Sequence, residues 1–381
     1  MCNVRRLMLN IFAAVVSIGL IASGTPAGAQ DIKLGFTPPL TGGSAAQGSN
    51  QSKAIKLALK QINEAGGVNG KKIDLRIVDN QSTNPGALAA LQKAVEQEEV
   101  LALVSFVKST QILASSDAVK SYGVPTVVGG TNVRITREGN PWLFRVRPDD
   151  SIAAGAIVKY IKEDAKLKKV GILHDSDAFG TGGADLVEKG AKEAGLVVVK
   201  REKYTTGGKD YTAQLLSIKN AGAEIMALYV TNPEDAAIII RQYRQFGSPF
   251  KFIGTPSAVE RDSLVLAKEA AEGILGITDY VPGASPVYQK YAADYRKEYN
   301  EDADPTSAWT YDGLNILVNA IKKGGKDRAK IREAILGTRG YKGVLGTFNF
   351  TPNGDGLSEV SVIQIEKGKH KLLKVVSVGA K

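Results

Sequence analysis

Ser105, Lys108, Ser109 and Thr110 follow the apolar run VLALV and precede QILASSDAVK, a stretch with helical spacing. Hydroxyl groups and a lysine at a strand-to-helix turn suit an anion, because the first backbone N–H groups of a helix are unpaired and its dipole favours negative charge there. The Ser109 hydroxyl also suits a plain helix cap, so the turn alone leaves two readings. GGTN, residues 129–132, follows the run VPTVV and leaves the same choice for Thr131. If the two runs are strands of one sheet, both turns aim at one crevice.

Other turns share this chemistry. TPPLTGGSAAQG follows the first apolar run and carries Gln47; HDSDAFG follows KKVGIL; TNPED follows EIMALYV; GTPSAVE follows FKFI. Hydroxyls, amides and free backbone N–H groups at these places suit a small polar ligand, a carboxylate above all. Catalytic and metal chemistry find little support. The histidines are His174 and His370, and the single cysteine, Cys2, is at the extreme N-terminus. His174 stands between a strand and two aspartates, yet no second histidine or cysteine completes a transition-metal set. GGVNG follows a helix and precedes a strand, the wrong order for a phosphate loop. No metal, cofactor or catalytic residue is expected.

These turns must be held by regular elements. Strand-like Val/Ile/Leu runs alternate with helix-like stretches from Asp31 to about Arg147, and the theme restarts at Lys168. Continuous apolar strands between helices indicate parallel sheets covered on both faces. Two such series predict an α/β protein of two doubly wound lobes, and ligands of such sheets bind beyond the carboxyl ends of the strands. Asn84-Pro85 and Asn232-Pro233 each read as a helix cap followed by proline at the first helical position. The end of the chain, VSVIQIEKGKHKLLKVV, reads as two strands joined around Gly368. Gly340–Gly356 reads as a connection.

The positive head MCNVRR, an apolar stretch of about sixteen residues and small residues at Ala27 and Ala29 predict a cleaved signal peptide, residues 1–29, and therefore a periplasmic or secreted protein. The 352 residues left contain no cysteine, so no disulfide supports them, and the net charge of +10 falls to +8 with the loss of Arg5 and Arg6. The remaining charge is spread rather than blocked, which reads as a solvated surface and not as a nucleic-acid interface.

IKLGFTPPLTGGSAAQG, QINEAGGVNGKKIDLRIVDNQSTNPGALAA, YGVPTVVGGTN and KKVGILHDSDAFGTGG occur in this order. With them the chain resembles, over nearly its whole mature length, the periplasmic substrate-binding proteins of branched-chain amino acid-type ABC importers. The resemblance implies a type I periplasmic binding fold: two α/β lobes joined by a three-segment hinge and closing on a ligand between them. It implies lobes at 30–148 plus 281–346 and at 149–280 plus 347–381, with crossings near Pro148, Pro282 and Gly346. It implies that Ser109 and Thr131 hold a ligand carboxylate, with backbone groups of Gly129 and Gly130, and that Phe179 and the turn around Asn232 reach the ligand. It implies membrane permease subunits as partners and a monomer without enzymatic activity. A sensory binding protein serving a receptor is the alternative, and a secreted α/β enzyme a remote one.

Three positions depart from the amino-acid binders of that family. Thr255, Pro256 and Ser257 stand where an acid usually meets the ligand ammonium, Gln47 stands where an aromatic is common, and Lys108 is unusual. Either Asp235 or Glu234 supplies the missing charge, or the ligand is a carboxylate without an ammonium, such as an aromatic or keto acid. The binding set expected is therefore Gln47, Lys108, Ser109, Gly129, Gly130, Thr131, Phe179, Asn232, Thr255 and Ser257.

Overall fold

A computed structural model of the protein describes residues 31–247, 249–281 and 285–377. The expected signal peptide and Pro282 lie outside the described residues. Five strands, β1 (Ile32–Thr37), β2 (Ile73–Ile77), β3 (Ala102–Ser105), β4 (Thr126–Val128) and β5 (Leu143–Arg145), form a sheet in the order β2-β1-β3-β4-β5. All its pairings are parallel. β1, β3, β4 and β5 are almost wholly buried, as expected for strands covered on both faces by helices.

The second sheet is built from β6 (Lys169–Asp175), β7 (Val197–Tyr204), β8 (Ile225–Tyr229), β9 (Lys251–Gly254) and β10 (Leu275–Thr278). The chain then returns to form a small antiparallel ribbon, β11 (Tyr341–Lys342) with β12 (Thr347–Phe348). It ends in β13 (Glu359–Glu366) and β14 (Lys369–Ser377), giving the order β14-β13-β10-β9-β8-β6-β7. This sheet is not parallel throughout. β13 runs antiparallel to both β10 and β14, because a two-residue connection at Lys367-Gly368 permits only an antiparallel return. Both turn residues take positive φ.

The first core gathers Leu34, Phe36, Val104 and Phe144 from the first sheet with Trp309, Leu314 and Leu317 from the helix Pro305–Gly324. Phe348, Phe350 and Leu357 pack in the same core. Residues 347–357, expected in the second lobe, therefore lie against the first, and the chain leaves it after Leu357 rather than at Gly346. The glycine-rich stretch Gly340–Gly356 is more than a connection, since it carries the β11–β12 ribbon and two residues of that core, Phe348 and Phe350. Separate cores fill the two faces of the second sheet.

Caps differ in detail from the sequence reading. Thr83, not Asn84, caps the helix Asn84–Gln92, its hydroxyl accepting from Gly86 N at 3.0 Å. Asn232 stands at the cap position before Pro233, but its side chain makes no capping bond.

Candidate functional site

Two adjoining hollows open between the carboxyl ends of the two sheets. They share Thr131, Arg147, Phe179 and Ser257, so they form one cleft. The outer hollow is further lined by Gln47, Val107, Lys108, Ser109 and Thr231. The inner one is lined by Asp150, Ala153, Thr255, Pro256, Ile277, Asp279 and Val360. The first-lobe groups come from the turns after β1, β3, β4 and β5; the second-lobe groups come mainly from those after β6, β8, β9 and β10.

Ser109 opens the helix Ser109–Tyr122 but does not cap it; the cap position falls on Lys108, which makes no side-chain capping bond. The Ser109 hydroxyl instead accepts from the backbone N–H of Asn132 at 3.2 Å. Its own proton remains to be donated, and the outer hollow is where it can go. That bond also ties the two anion-suited turns together, as the pairing of β3 with β4 requires.

Arg145 fixes the loop that bears Thr131. Fully buried, it donates to the carbonyls of Thr131 (3.0 Å) and Asn132 (2.7 Å), to the Thr136 hydroxyl (2.8 Å) and to Asp355 (2.9 Å from Nε). Arg147, two residues on, turns to the cleft. Its Nε and Nη2 donate to the two oxygens of Asp279 at 2.5 and 3.0 Å, and Nη1 donates to Gly129 O at 3.3 Å. Burial opposes the charge of Arg147, and Asp279 more than offsets it.

Lys108 carries a half-buried ammonium for which, among the described residues, no hydrogen bond or ion pair is present. Burial pulls its pKa below the ordinary lysine value, while Asp177, Asp175, Asp235 and Glu234 of the second lobe pull it back up. Asp175 is itself pushed up to about 6 by burial and by Asp177. The lobes also touch directly across the cleft. Asn132 Nδ2 donates to Ala178 O at 2.7 Å, Ser44 Oγ to Asn232 Oδ1 at 3.4 Å, and Arg261 Nη2 to Asn50 Oδ1 at 2.8 Å. Gln47 Nε2 reaches Glu260 at 3.5 Å, and burial raises the Glu260 carboxyl well above its ordinary value.

A fold of two such α/β lobes has counterparts. The model of the periplasmic binding protein family matches residues 31–370. The chain belongs to this family. Of curated relatives, it is 30% identical over 356 residues to the leucine-, isoleucine-, valine-, threonine- and alanine-binding protein of Pseudomonas aeruginosa, covering 90% of this chain and 94% of that one. Of solved structures, it is similar to the substrate-binding protein of a branched-chain amino acid transporter of Streptococcus pneumoniae in complex with isoleucine, at 26% identity and TM-score 0.85, covering 92% of this chain and 100% of that one. It also shares the fold of a solute-binding protein of an ABC transporter from Rhodopseudomonas palustris in complex with 3,4-dihydroxybenzoic acid, at 22% identity and TM-score 0.84, covering 91% and 97%.

Within this periplasmic binding fold, Gln47, Lys108, Ser109, Thr131, Phe179, Thr255 and Ser257 line the cleft. Phe179 leans on Tyr229 with ring centroids 5.4 Å apart, and the Ser257 hydroxyl donates to Thr231 O at 3.1 Å. Gly129, Gly130 and Asn232 line neither hollow. A Cβ on Gly129 would meet the Trp309 ring at 2.3 Å and one on Gly130 would meet Ile112 at 2.3 Å, so close packing accounts for both glycines. Asn232 turns to Ser44, and its neighbour Thr231 faces the cleft instead.

Neither Asp235 nor Glu234 lines either hollow. The Asp235 carboxylate is occupied by Gly207 N at 2.9 Å and the Tyr211 hydroxyl at 2.8 Å. His174 is likewise occupied, its Nε2 accepting from Arg201 at 3.1 Å and its Nδ1 donating to Asp175 O at 2.7 Å. The sequence reading missed Arg147, Asp150, Thr231 and Asp279. The one available signal was period-two spacing in PWLFRVR, which sets Arg145 and Arg147 on one face of an otherwise apolar run.

Proposed function

We propose that this protein captures a small carboxylate-bearing solute in the interlobe cleft and hands it to the membrane permease of an ABC importer. The solute is an amino acid or a related aromatic or keto acid; amino acids are named for the Pseudomonas protein and an aromatic acid for the Rhodopseudomonas one. The lobes in this reading are 31–148 with 285–357 and 149–281 with 358–377, closing about three crossings. The protein works as a monomer in the periplasm, after loss of residues 1–29, and performs no chemistry on its cargo.

The observation that carries this reading is the Ser109 hydroxyl. It is buried in the cleft and held as an acceptor by Asn132 N, and so poised to donate toward the outer hollow beside Lys108. A carboxylate there gains one charge-assisted hydrogen bond, at about 1.5–3 kcal/mol. Ser109→Ala is therefore expected to weaken binding roughly ten- to a hundred-fold. The ligand is identified by mass spectrometry of the compound released when the purified protein is denatured. Affinities of wild type and variant for it are then compared by titration calorimetry. Equal affinities in two folded proteins refute the assignment.

A further inference from the structure

The turn after β9 lacks an acid for a ligand ammonium, yet the inner hollow holds one from another direction. Asp150 is the first residue of the helix Asp150–Lys159 and is 2% exposed. Its neighbour Asp149 does the capping, accepting from Ser151 N at 2.7 Å and Ile152 N at 3.3 Å. Asp150 is thus free of that duty, and its Oδ2 is buried without a hydrogen-bond partner among the described residues. Buried polar atoms are nearly always paired, and an orphaned carboxylate oxygen against a ligand hollow marks a contact that the ligand completes. The geometry points to Asp150 as the residue that takes the α-ammonium of an amino-acid ligand, and so sets the specificity of this cleft.

The placement fits a zwitterion. Thr131 lines both hollows, and the backbone N–H of Asp150 donates to Thr131 O at 2.9 Å. Asp150 therefore lies beside the turn where the carboxylate is held, as an α-ammonium must. Lys108 lines one hollow and Asp150 the other, with Thr131 in both, so a positive and a negative group stand on either side of Thr131, as a carboxylate and an ammonium require. Ala153, Ile277, Val360 and Phe179 supply an apolar wall for the side chain. A buried ammonium without a counter-charge is costly, and the other acid of the inner hollow, Asp279, is committed to Arg147.

The groups around Asp150 are Arg145 and Arg147, which favour its charged form with Thr131, and Asp149, which opposes it; the Tyr229 hydroxyl from β8 faces it without a hydrogen bond. Burial dominates and pushes Asp150 up to about 7. A bound ammonium favours the carboxylate, so an amino acid that binds near pH 7 releases a proton.

This inference rests on the carboxylate reading of Ser109, and the test separates the two. Protein stripped of ligand by unfolding and refolding is titrated calorimetrically with the twenty common amino acids, and with 4-methyl-2-oxopentanoate, phenylpyruvate and 4-hydroxybenzoate. Wild type, Asp150→Asn and Ser109→Ala are compared in two buffers of different ionisation enthalpy, with Asp150→Ser in reserve should the asparagine variant fail to fold. The expected result is binding of an amino acid, weakened roughly ten- to a hundred-fold in Asp150→Asn, with its proton release abolished and the oxo acids unaffected. Ser109→Ala is expected to weaken both series alike. A wild type that takes no amino acid overturns the inference. So does equal weakening of amino and oxo acids by Asp150→Asn, or selective weakening of 4-hydroxybenzoate. If Asp150→Asn acts as expected while Ser109→Ala changes nothing, the failure lies in the Ser109 reading.

Discussion

Arg145 and Arg147 leave the same strand end two residues apart, and both are withdrawn from water, yet they do opposite work. The hydrogen bonds of Arg145 all go to its own lobe, to two carbonyls, one hydroxyl and the carboxylate of Asp355, and Asp149 stands 3.7 Å from its guanidinium. Arg147 reaches across a chain crossing to Asp279, at the end of β10, and forms part of the cleft wall. One guanidinium builds a rigid loop. The other joins the segment after β5 to the segment after β10, on either side of the proposed opening of the cleft. A buried charge whose hydrogen bonds stay within one lobe serves stability, whereas one whose carboxylate partner lies across the crossing, as Asp279 does for Arg147, is placed to respond to the proposed opening of the cleft.

Substitution breaks the comparison most sharply at Arg145. Arg145→Ala leaves Asp355 and two carbonyls buried without their donor, and removal of one partner from a buried pair costs on the order of 3–5 kcal/mol. Thermal unfolding without ligand is expected to fall by about 6 °C or more, at roughly 2–4 °C per kcal/mol for lobes of this size. Arg147→Ala is expected to move that midpoint by less than half as much, because Asp279 is rehydrated when the cleft opens. Its effect belongs instead to ligand affinity and to the compaction that small-angle scattering detects on binding. Equal losses of stability in the two variants contradict the division of labour.

The smallest effect concerns pH. The folded-state pKa of Asp150 is raised from 3.8 to about 7, so the folded protein keeps that proton where the unfolded chain has lost it. Stability of the ligand-free protein therefore falls as pH rises from about 4 to about 7, and the contribution is complete above that window. Asp150→Asn is expected to show a flatter dependence of its unfolding midpoint on pH across that range. Parallel curves for variant and wild type would mean that Asp150 is hydrated in the ligand-free state.

Much of this was legible before any coordinates. Runs such as VLALV and KKVGIL announced buried parallel strands, because such strands read as continuous apolar stretches. Ser109 and Thr131 stood out as hydroxyl residues after those runs, although a plain helix cap was the other reading of each. Asp279 and Arg147 were not legible, since their pairing spans 132 positions and nothing local in either stretch marks it. Asp150 was hidden behind Asp149: two adjacent aspartates before a helix read as one cap, and only the hydrogen bonds show which of them caps. Asp235 misled for the converse reason. Its position in TNPED suggested the cleft, whereas the Tyr211 hydroxyl draws it into the second lobe.

The interleaving of the chain also constrains its synthesis. A nascent chain that ends at Tyr299 already holds every strand of the first sheet. It lacks the helix with Trp309, and also Phe348, Phe350 and Leu357, which complete that sheet's core. The second sheet waits still longer, because β13 and β14 are the last described segments of the chain. Neither lobe can reach full burial until nearly the whole polypeptide has been made. The order in which its pieces arrive therefore leaves apolar faces of both sheets uncovered through most of synthesis, surface of the kind chaperones bind.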